Sequence, residues 1–211
     1  MPSRFHPHRS KPRARNGEQK RARIAAEAAR IMAEEGVRDF QMAKRKAIAR
    51  LSLAEERDLP TNEEIDAALT EHLQLFHGPR LARHARRLRE IAAQAMSFLS
   101  AFEPRLVGPV LAGTVTPGVE IQLHVRADAP EQVGFFLQEH GIPYRLGERR
   151  VRFGGERYKS VSTYHFTADD VPVELCVFDP RAAREAPLSP VDGQPMRRAS
   201  LREIEALLQG S

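Results

Sequence analysis

The chain has 211 residues, of which 41% are hydrophobic and 29% charged, so it contains enough apolar material to bury a core. No stretch approaches the roughly 20 apolar residues of a membrane-spanning helix, and the N-terminus lacks a secretory signal, so we predict a soluble, cytoplasmic protein. The single cysteine, Cys176, excludes an internal disulfide and a cysteine-built zinc site within one chain, and its apolar neighbours predict a small core residue.

Positive charge is concentrated at the N-terminus. Residues 1–23 contain eight Arg or Lys and one acid, Glu18, whereas the whole chain has a net charge of only +5. With three prolines and one aromatic residue, this segment cannot bury enough surface to fold alone, so we predict a disordered basic tail. Such a tail either improves solubility or binds the phosphates of nucleic acid or anionic lipid. The candidate residues for nucleic-acid binding are Arg13, Arg15 and Lys20.

Two short helices are predicted after the tail. Apolar residues at helical spacing indicate the first at about 18–36, where Gly36 is the expected C-terminal cap, and the second at about 38–51. A helix pair of this kind also begins helix-turn-helix regulators, so a DNA-binding regulator is an alternative. However, no further helix follows at the spacing of a recognition helix, and no motif predicts sequence-specific duplex binding.

Two longer helices are predicted next. Thr61 and Glu64 form a capping-box pattern at the beginning of the third helix, which ends where the run 77–79 (His-Gly-Pro) interrupts the periodicity. The fourth helix is predicted at about 80–102.

Arginines cluster in the first turns of this fourth helix. Five precede the first acid, Glu90: Arg80, Arg83, Arg86, Arg87 and Arg89. A run of charges is usually a solvated helix face, and the alternative is a surface that contacts RNA phosphates. The candidates for that contact are Arg80, Arg83 and Arg87.

After residue 104 the apolar period changes from about 3.6 to two, which predicts strands. The predicted elements are strands at 106–111, 119–125, 144–153, 157–166 and 171–178 and helices at 130–140 and 200–209. The expected fold class is therefore α+β. A helical region at 24–87 precedes a small mixed-sheet α/β domain at 88–211.

One stretch of this second region has a recognisable pattern. It reads Gly108-Pro-Val-Leu-Ala-Gly113, then six residues, then Glu120-Ile-Gln122, and Glu174 follows on a later strand between Val173 and Leu175. The pattern resembles the DNA polymerase beta-like nucleotidyltransferase superfamily and is similar to a divergent bacterial member with a degenerate motif. In that family a strand leads into Gly-Ser, a helical turn carries a second Gly, and the next strand has two aspartates one residue apart. A third carboxylate lies on a later strand. The resemblance covers about residues 88–180.

The resemblance implies roles for these residues. Glu120, Gln122 and Glu174 take the catalytic positions, and Glu120 and Glu174 would be the ligands of Mg²⁺ or Mn²⁺ if the protein is active. The nucleotide-binding positions are Gly108, Gly113 and Thr114. Residues i and i+2 of a strand point to the same face, which is why the family pairs its carboxylates at that spacing.

The chain departs from the family at two of these positions. Gln122 supplies no charge for a metal, and Glu120 is one methylene longer than Asp, although Mg²⁺ requires near-octahedral geometry. Pro109 replaces the serine that helps to hold phosphates and removes a backbone donor. Both departures weaken the binding of a metal-bound nucleoside triphosphate.

Two functions follow. The favoured one is a degenerate nucleotidyltransferase-fold module that binds RNA or a protein; the alternative is an active transferase that moves a nucleotidyl group from a nucleoside triphosphate to RNA or protein. His124 and His165 lie on neighbouring predicted strands, where an acid/base role or a passive one is conceivable. A generic α/β sandwich with turn glycines at 108 and 113 would have neither function.

Overall fold

The computed structural model describes residues 12–53 and 59–210, with the backbone alone at 12–16 and at residue 77. The helices are α1 (Pro12–Glu35), α2 (Phe40–Arg50), α3 (Asn62–Phe98), α4 (Gly108–Ala112), α5 (Glu131–Glu139) and α6 (Leu201–Gln209). The strands are β1 (Arg105–Val107), β2 (Ile121–Arg126), β3 (Arg145–Arg152), β4 (Tyr158–Ala168) and β5 (Val171–Phe178). The predicted α+β class is confirmed, with N-terminal helices ahead of a mixed sheet.

The chain divides into two compact units, Met1–Leu69 and Thr70–Ser211. The division lies inside α3, whereas the sequence suggested a boundary near residue 87. Helix α1 begins at Pro12, within the segment 1–23 that we predicted to be disordered. Residues 1–11 of that segment lie outside the described residues.

In the first unit, α1 and α2 form because small apolar residues recur at helical spacing. Ile24, Ala28 and Ile31 are fully buried on α1, and Ala43 and Ala47 are fully buried on α2. Alanine at these positions lets two helix backbones approach closely.

Polar contacts stabilise the beginning and the interior of α2. Asp39 caps α2 by accepting a hydrogen bond of 2.6 Å from the Met42 amide. Lys44 is buried and donates to Asn62 Oδ1 at 2.9 Å, and its burial lowers the pKa of its amine, although the charge of Glu64 opposes the change.

Helix α3 begins at the predicted capping box. The Thr61 amide donates to Glu64 Oε2 at 2.7 Å, and the Glu64 amide donates to Thr61 Oγ1 at 3.2 Å. The predicted break at 77–79 is wrong, because α3 continues through Pro79 as one helix. Proline removes a single hydrogen bond to the carbonyl four residues earlier, and Leu75 is exposed there, so water can satisfy that carbonyl.

The second unit contains a five-stranded sheet in the order β1-β2-β5-β4-β3. β2 and β5 are parallel, and all other neighbouring strands are antiparallel. β3 and β4 are consecutive antiparallel strands and form a hairpin. A parallel pair needs a crossover, and the chain between β2 and β5 supplies it with α5 and this hairpin.

The two faces of the sheet differ in composition. Alternate residues such as Ile121, Leu123 and Leu175 pack against buried side chains of α3, including Leu88 and Met96. The opposite face, which we call the polar face, carries these side chains on its central strands: Gln122, His124, Thr163, His165, Glu174 and Cys176. The polar face therefore carries the side chains that could bind a ligand or take part in a reaction.

The predicted strand at 106–111 is half wrong. β1 ends at Val107, and Val110 and Leu111 lie in the short helix α4. Pro109 favours this helix because proline is pre-organised for the first turn, and Gly113 ends it with a φ of 91°. A short apolar run does not by itself distinguish a strand from a helix.

Candidate functional site

Three polar side chains form a row across the central strands of the polar face. Gln122 on β2 pairs in register with Glu174 on β5, and Glu174 pairs with His165 on β4. Directly opposed residues of neighbouring strands point to the same side of a sheet. The register therefore brings the predicted residues Gln122 and Glu174 together and places His165 beside them.

Glu120 precedes β2 by one residue and joins this row. Its Oε1 lies 3.3 Å from His165 Nδ1, and His165 Nε2 lies 4.0 Å from Glu174 Oε1. Thr163 Oγ1 contacts the same Nε2 at 3.1 Å. The imidazole of His165 thus lies between the two carboxylates, and we call Glu120, Gln122, His165 and Glu174 the acidic cluster.

Arg149 supplies the positive charge of the acidic cluster. Glu174 is only 2% exposed, and its Oε2 lies 2.9 Å from Arg149 Nη1 on β3. A carboxylate this deeply buried needs a charged partner, because desolvation would otherwise favour its neutral form. Arg149 therefore neutralises the charge of Glu174 within the protein.

The thiol of Cys176 lies next to Glu174 on the same face of β5. Burial and, to a smaller extent, the negative charge of Glu174 raise the pKa of Cys176 to about 12 against the opposing charge of Arg149. Cys176 is 1% exposed. The predicted role as a small core residue is confirmed.

Gly108 lies against the acidic cluster. Its φ of 69° is in the left-handed region, and the Gln122 amide oxygen occupies the space that a Cβ would need. The left-handed backbone is therefore the reason that this position favours glycine, since the end of the flexible Gln122 side chain could move away from a Cβ. The amide oxygen of Gln122 thus lies against the backbone of Gly108, the first residue of α4.

Gly113 and Thr114 lie at the opposite end of α4. The Gly113 amide donates to Pro109 O at 2.7 Å. Arg89 donates to Val110 O and Leu111 O, both at 3.1 Å, and so satisfies the last carbonyls of α4. These contacts explain the two positions as the end of a helix, and within the described residues none joins them to the carboxylates.

The acidic cluster does not fit a divalent metal. Gln122 is neutral, Glu174 is paired with Arg149, and Glu120 is in contact with His165. Mg²⁺ and Mn²⁺ bind oxygen ligands that carry net negative charge. Between residues 12 and 210, among the residues that the structure describes, no group of three or more His, Cys, Asp or Glu side chains is arranged to hold a metal.

His124 lies two residues beyond Gln122 on the polar face. It is 6% exposed, and its ring lies 4.7 Å from the ring of Phe178. Burial, together with the charges of Arg198 and Arg149, lowers the pKa of His124 to about 3. His124 is therefore neutral near pH 7 and is not a cationic partner for the acidic cluster.

The arginines predicted to contact RNA form an exposed stripe on α3. Arg80, Arg83 and Arg87 are three and four residues apart, which places them on one helix face. Arg87 also lies 3.3 Å from Asp169. Arg13 and Arg15 lie in the first turn of α1, where only the backbone is described, and Lys20 is half-buried on the same helix.

Sequence reasoning missed Arg149 and Thr163. Arg149 is one of four arginines on β3, and only the register of β3, β4 and β5 distinguishes the one that reaches Glu174. The excess of arginine on this strand was the available signal. Strand register depends on contacts distant in sequence, so the partner itself was not predictable.

Comparisons with protein-family models, with curated proteins and with solved structures find no match for this chain. Among the described residues, no helix is both long and apolar enough to cross a bilayer.

Proposed function

We propose that this protein is a catalytically degenerate nucleotidyltransferase-fold module that binds RNA. The observation that carries the first half of the proposal is the pair between Glu174 and Arg149, at 2.9 Å. A catalytic carboxylate that holds a metal must keep its charge available to that metal. Glu174 instead uses its charge within the protein, and its register partner Gln122 has none to offer.

The arrangement of the strands supports the resemblance on which this proposal rests. Gly108 begins α4 directly after β1, and Gln122 and Glu174 pair on the parallel strands β2 and β5. This is the order of elements that the family pattern implies. The family itself remains part of the proposal, since fold similarity does not establish an activity.

The second half of the proposal rests on the exposed stripe of Arg80, Arg83 and Arg87. Flexible exposed arginines bind phosphates by displacing condensed counterions, so their contribution decreases with salt. Arg80 and Arg83 form no salt bridge within residues 59–210. Their charge is available to an RNA backbone.

RNA binding is tested by fluorescence anisotropy with a single-stranded RNA over a range of salt concentrations. We expect the triple variant Arg80→Gln/Arg83→Gln/Arg87→Gln to reduce the slope of log K against log salt by about 2, since each phosphate contact contributes about 0.7. The matched control is Arg145→Gln/Arg150→Gln/Arg152→Gln, which removes the same charge from β3. Equal losses in the two variants would mean that net charge alone binds the RNA.

The active transferase is the second candidate, and one observation favours it. Glu120 and Glu174 lie on either side of His165, so both retained carboxylates are on one small surface. The test is transfer of label from each α-labelled nucleoside triphosphate to RNA or protein with Mg²⁺ or Mn²⁺. We expect no transfer. Metal-dependent labelling that Glu174→Gln abolishes would contradict degeneracy and establish the transferase.

A further inference from the structure

A concave site lies farther along the polar face, beyond His124. It is a cleft of about 420 Å³. Its charged and titratable lining consists of Glu103, Arg105, His124, Arg126, Arg184 and Arg198. We call it the arginine cleft. None of its residues belongs to the acidic cluster or to the arginine stripe of α3.

Positive charge exceeds negative charge in the arginine cleft. Four guanidinium groups face one carboxylate, Glu103, whose oxygens lie 3.0 and 3.1 Å from Arg126 Nη1. Arg105 and Arg184 form no salt bridge within the described ranges. One further carboxylate, that of Glu203, is affected by the charge of Arg105, but it accepts hydrogen bonds from Ser200.

The arginines of the cleft act on one another. Burial lowers the pKa of Arg198, and the charge of Arg105 lowers it further. Arg198 is also held in place, because its Nη1 donates to Ala183 O at 2.7 Å. Like charges held close together destabilise a protein unless an anion lies between them. The cleft is therefore pre-organised for an anion.

The wall of the cleft has an unsatisfied polar atom. The Nδ1 atom of His124 is buried and has no hydrogen-bond partner within the described residues. Buried polar atoms in proteins usually have a partner, and an orphan frequently indicates a missing water or ligand. The ring of Phe178, which is 2% exposed, packs against this imidazole at a centroid distance of 4.7 Å.

We infer that the arginine cleft binds the phosphate group of a small phosphomonoester of about mononucleotide size. The planar guanidinium fork matches the oxygen geometry of phosphate and binds it through two parallel hydrogen bonds. A cleft of 420 Å³ is within the range of small-molecule sites, about 300 to 1,000 Å³. Arg105 and Arg184 bind the phosphate, and the half-buried side chains of Pro180 and Ala183 form an apolar wall for the organic part of the ligand.

The inference is tested by calorimetric titration of the full chain with adenosine 5′-monophosphate, ribose 5-phosphate and inorganic phosphate, with adenosine and ribose as phosphate-free controls. We expect at least one phosphomonoester to bind and the phosphate-free compounds not to bind. Absence of binding by all three phosphates would overturn the inference. Binding of adenosine as tight as that of its monophosphate would do the same.

Variants locate the site. Arg105→Gln and Arg184→Gln should each weaken phosphomonoester binding about tenfold, the usual loss for a charged hydrogen bond. Arg181→Gln is the matched control, because Arg181 is exposed, lies three residues before Arg184 and does not line the cleft. These arginines are exposed, so circular dichroism should show folded variants. Unchanged binding in both cleft variants would refute the assignment.

A final experiment distinguishes binding of a small phosphomonoester from binding of the 5′ end of an RNA. A 5′-phosphorylated RNA oligonucleotide and its 5′-hydroxyl counterpart are used as competitors of the bound phosphomonoester. Equal, weak competition by the two agrees with a small-molecule site. Binding of the phosphorylated RNA alone, without any small phosphomonoester, would assign the cleft to RNA and overturn the inference.

Discussion

At the scale of single residues, the pair of Arg149 and Glu174 has the largest expected effect. Arg149→Met removes the guanidinium and leaves a carboxylate that is 2% exposed without this partner. We expect the free energy of unfolding to decrease by about 2 kcal/mol, less than for a fully buried pair because Arg149 is partly exposed. Urea denaturation measures the change.

The control for this prediction is on the same strand. Arg145→Met changes an exposed arginine four residues away on the same face of β3, and we expect little change in stability. Arg149→Met combined with Glu174→Gln should recover part of the loss, since no buried charge remains. A double variant less stable than Arg149→Met alone would argue against the charge pair as the cause.

The buried thiol gives a second prediction for a single residue. Because burial and the charge of Glu174 raise the pKa of Cys176 to about 12, almost no thiolate exists at pH 8 in the folded protein. We expect iodoacetamide to label Cys176 only after unfolding in urea. Mass spectrometry measures the labelled fraction. Labelling at the same rate with and without urea would show that the site opens readily.

At the scale of elements, a glycine inside α1 provides a test. Gly17 is in the helix and has open space where a Cβ would be added, so Gly17→Ala should stabilise the protein by about 0.5–1 kcal/mol. Gly118 also has open space, but its φ is 69°. Gly118→Ala should therefore destabilise the protein. Thermal unfolding compares the two, and equal signs would contradict the role assigned to backbone conformation.

The elements were mostly predictable from the sequence, and the exceptions have physical causes. The capping box at Thr61 and the alternation in β2 are local signals, so they located a helix and a strand. The sequence predicts a break at Pro79 because proline destabilises a helix locally. Tertiary packing, which maintains α3 through this position, is not visible in a local pattern. The apolar run that contains Val110 is too short for its periodicity to distinguish a helix from a strand.

The candidate site was predictable only in part, because some of its contacts depend on strand pairings between residues distant in sequence. Gln122 and Glu174 were found through the pattern that their strand spacing shares with a family, and their register pairing agrees with it. Arg149 and His165 reach them through pairings of β3 and β4 that are set by the whole sheet. No local sequence feature encodes which face of β3 meets β5 across β4.

At the scale of the whole molecule, the buried imidazole of His124 makes stability depend on pH. Its pKa is about 3 in the folded protein and about 6.5 when unfolded, so the unfolded chain binds the proton more tightly. Stability from this group is complete above about pH 6.5 and decreases as the pH falls toward 3. Arg105, Arg149 and Arg198 face His124 and oppose its protonation.

The contribution of His124 to stability is best measured in the upper part of this pH range. Between pH 6.5 and about pH 5 we expect the free energy of unfolding to decrease by roughly 1.6 kcal/mol, because the slope approaches 1.36 kcal/mol per pH unit only below the pKa of the unfolded imidazole. Carboxylates with lowered pKa values, such as Glu64 and Asp179, lose their contributions at lower pH. His124→Gln should flatten the dependence in this window, and urea titrations at each pH measure it. An unchanged slope would show that another group is responsible.

The two outer strands of the sheet differ in how their free edges are occupied. β1 is covered in part by Ala199, which exchanges two backbone hydrogen bonds of 2.9 Å with Leu106. β3 is the opposite edge. The Arg152 carbonyl at its end accepts a hydrogen bond of 2.6 Å from the Leu188 amide, and the strand carries four arginines, Arg145, Arg149, Arg150 and Arg152. An uncovered edge is a template for strand addition by another molecule, and charged side chains discourage it. A second copy approaching β3 edge to edge would bring the same four positive charges against these, so the arginines of β3, one of which is the partner of Glu174, also oppose strand addition.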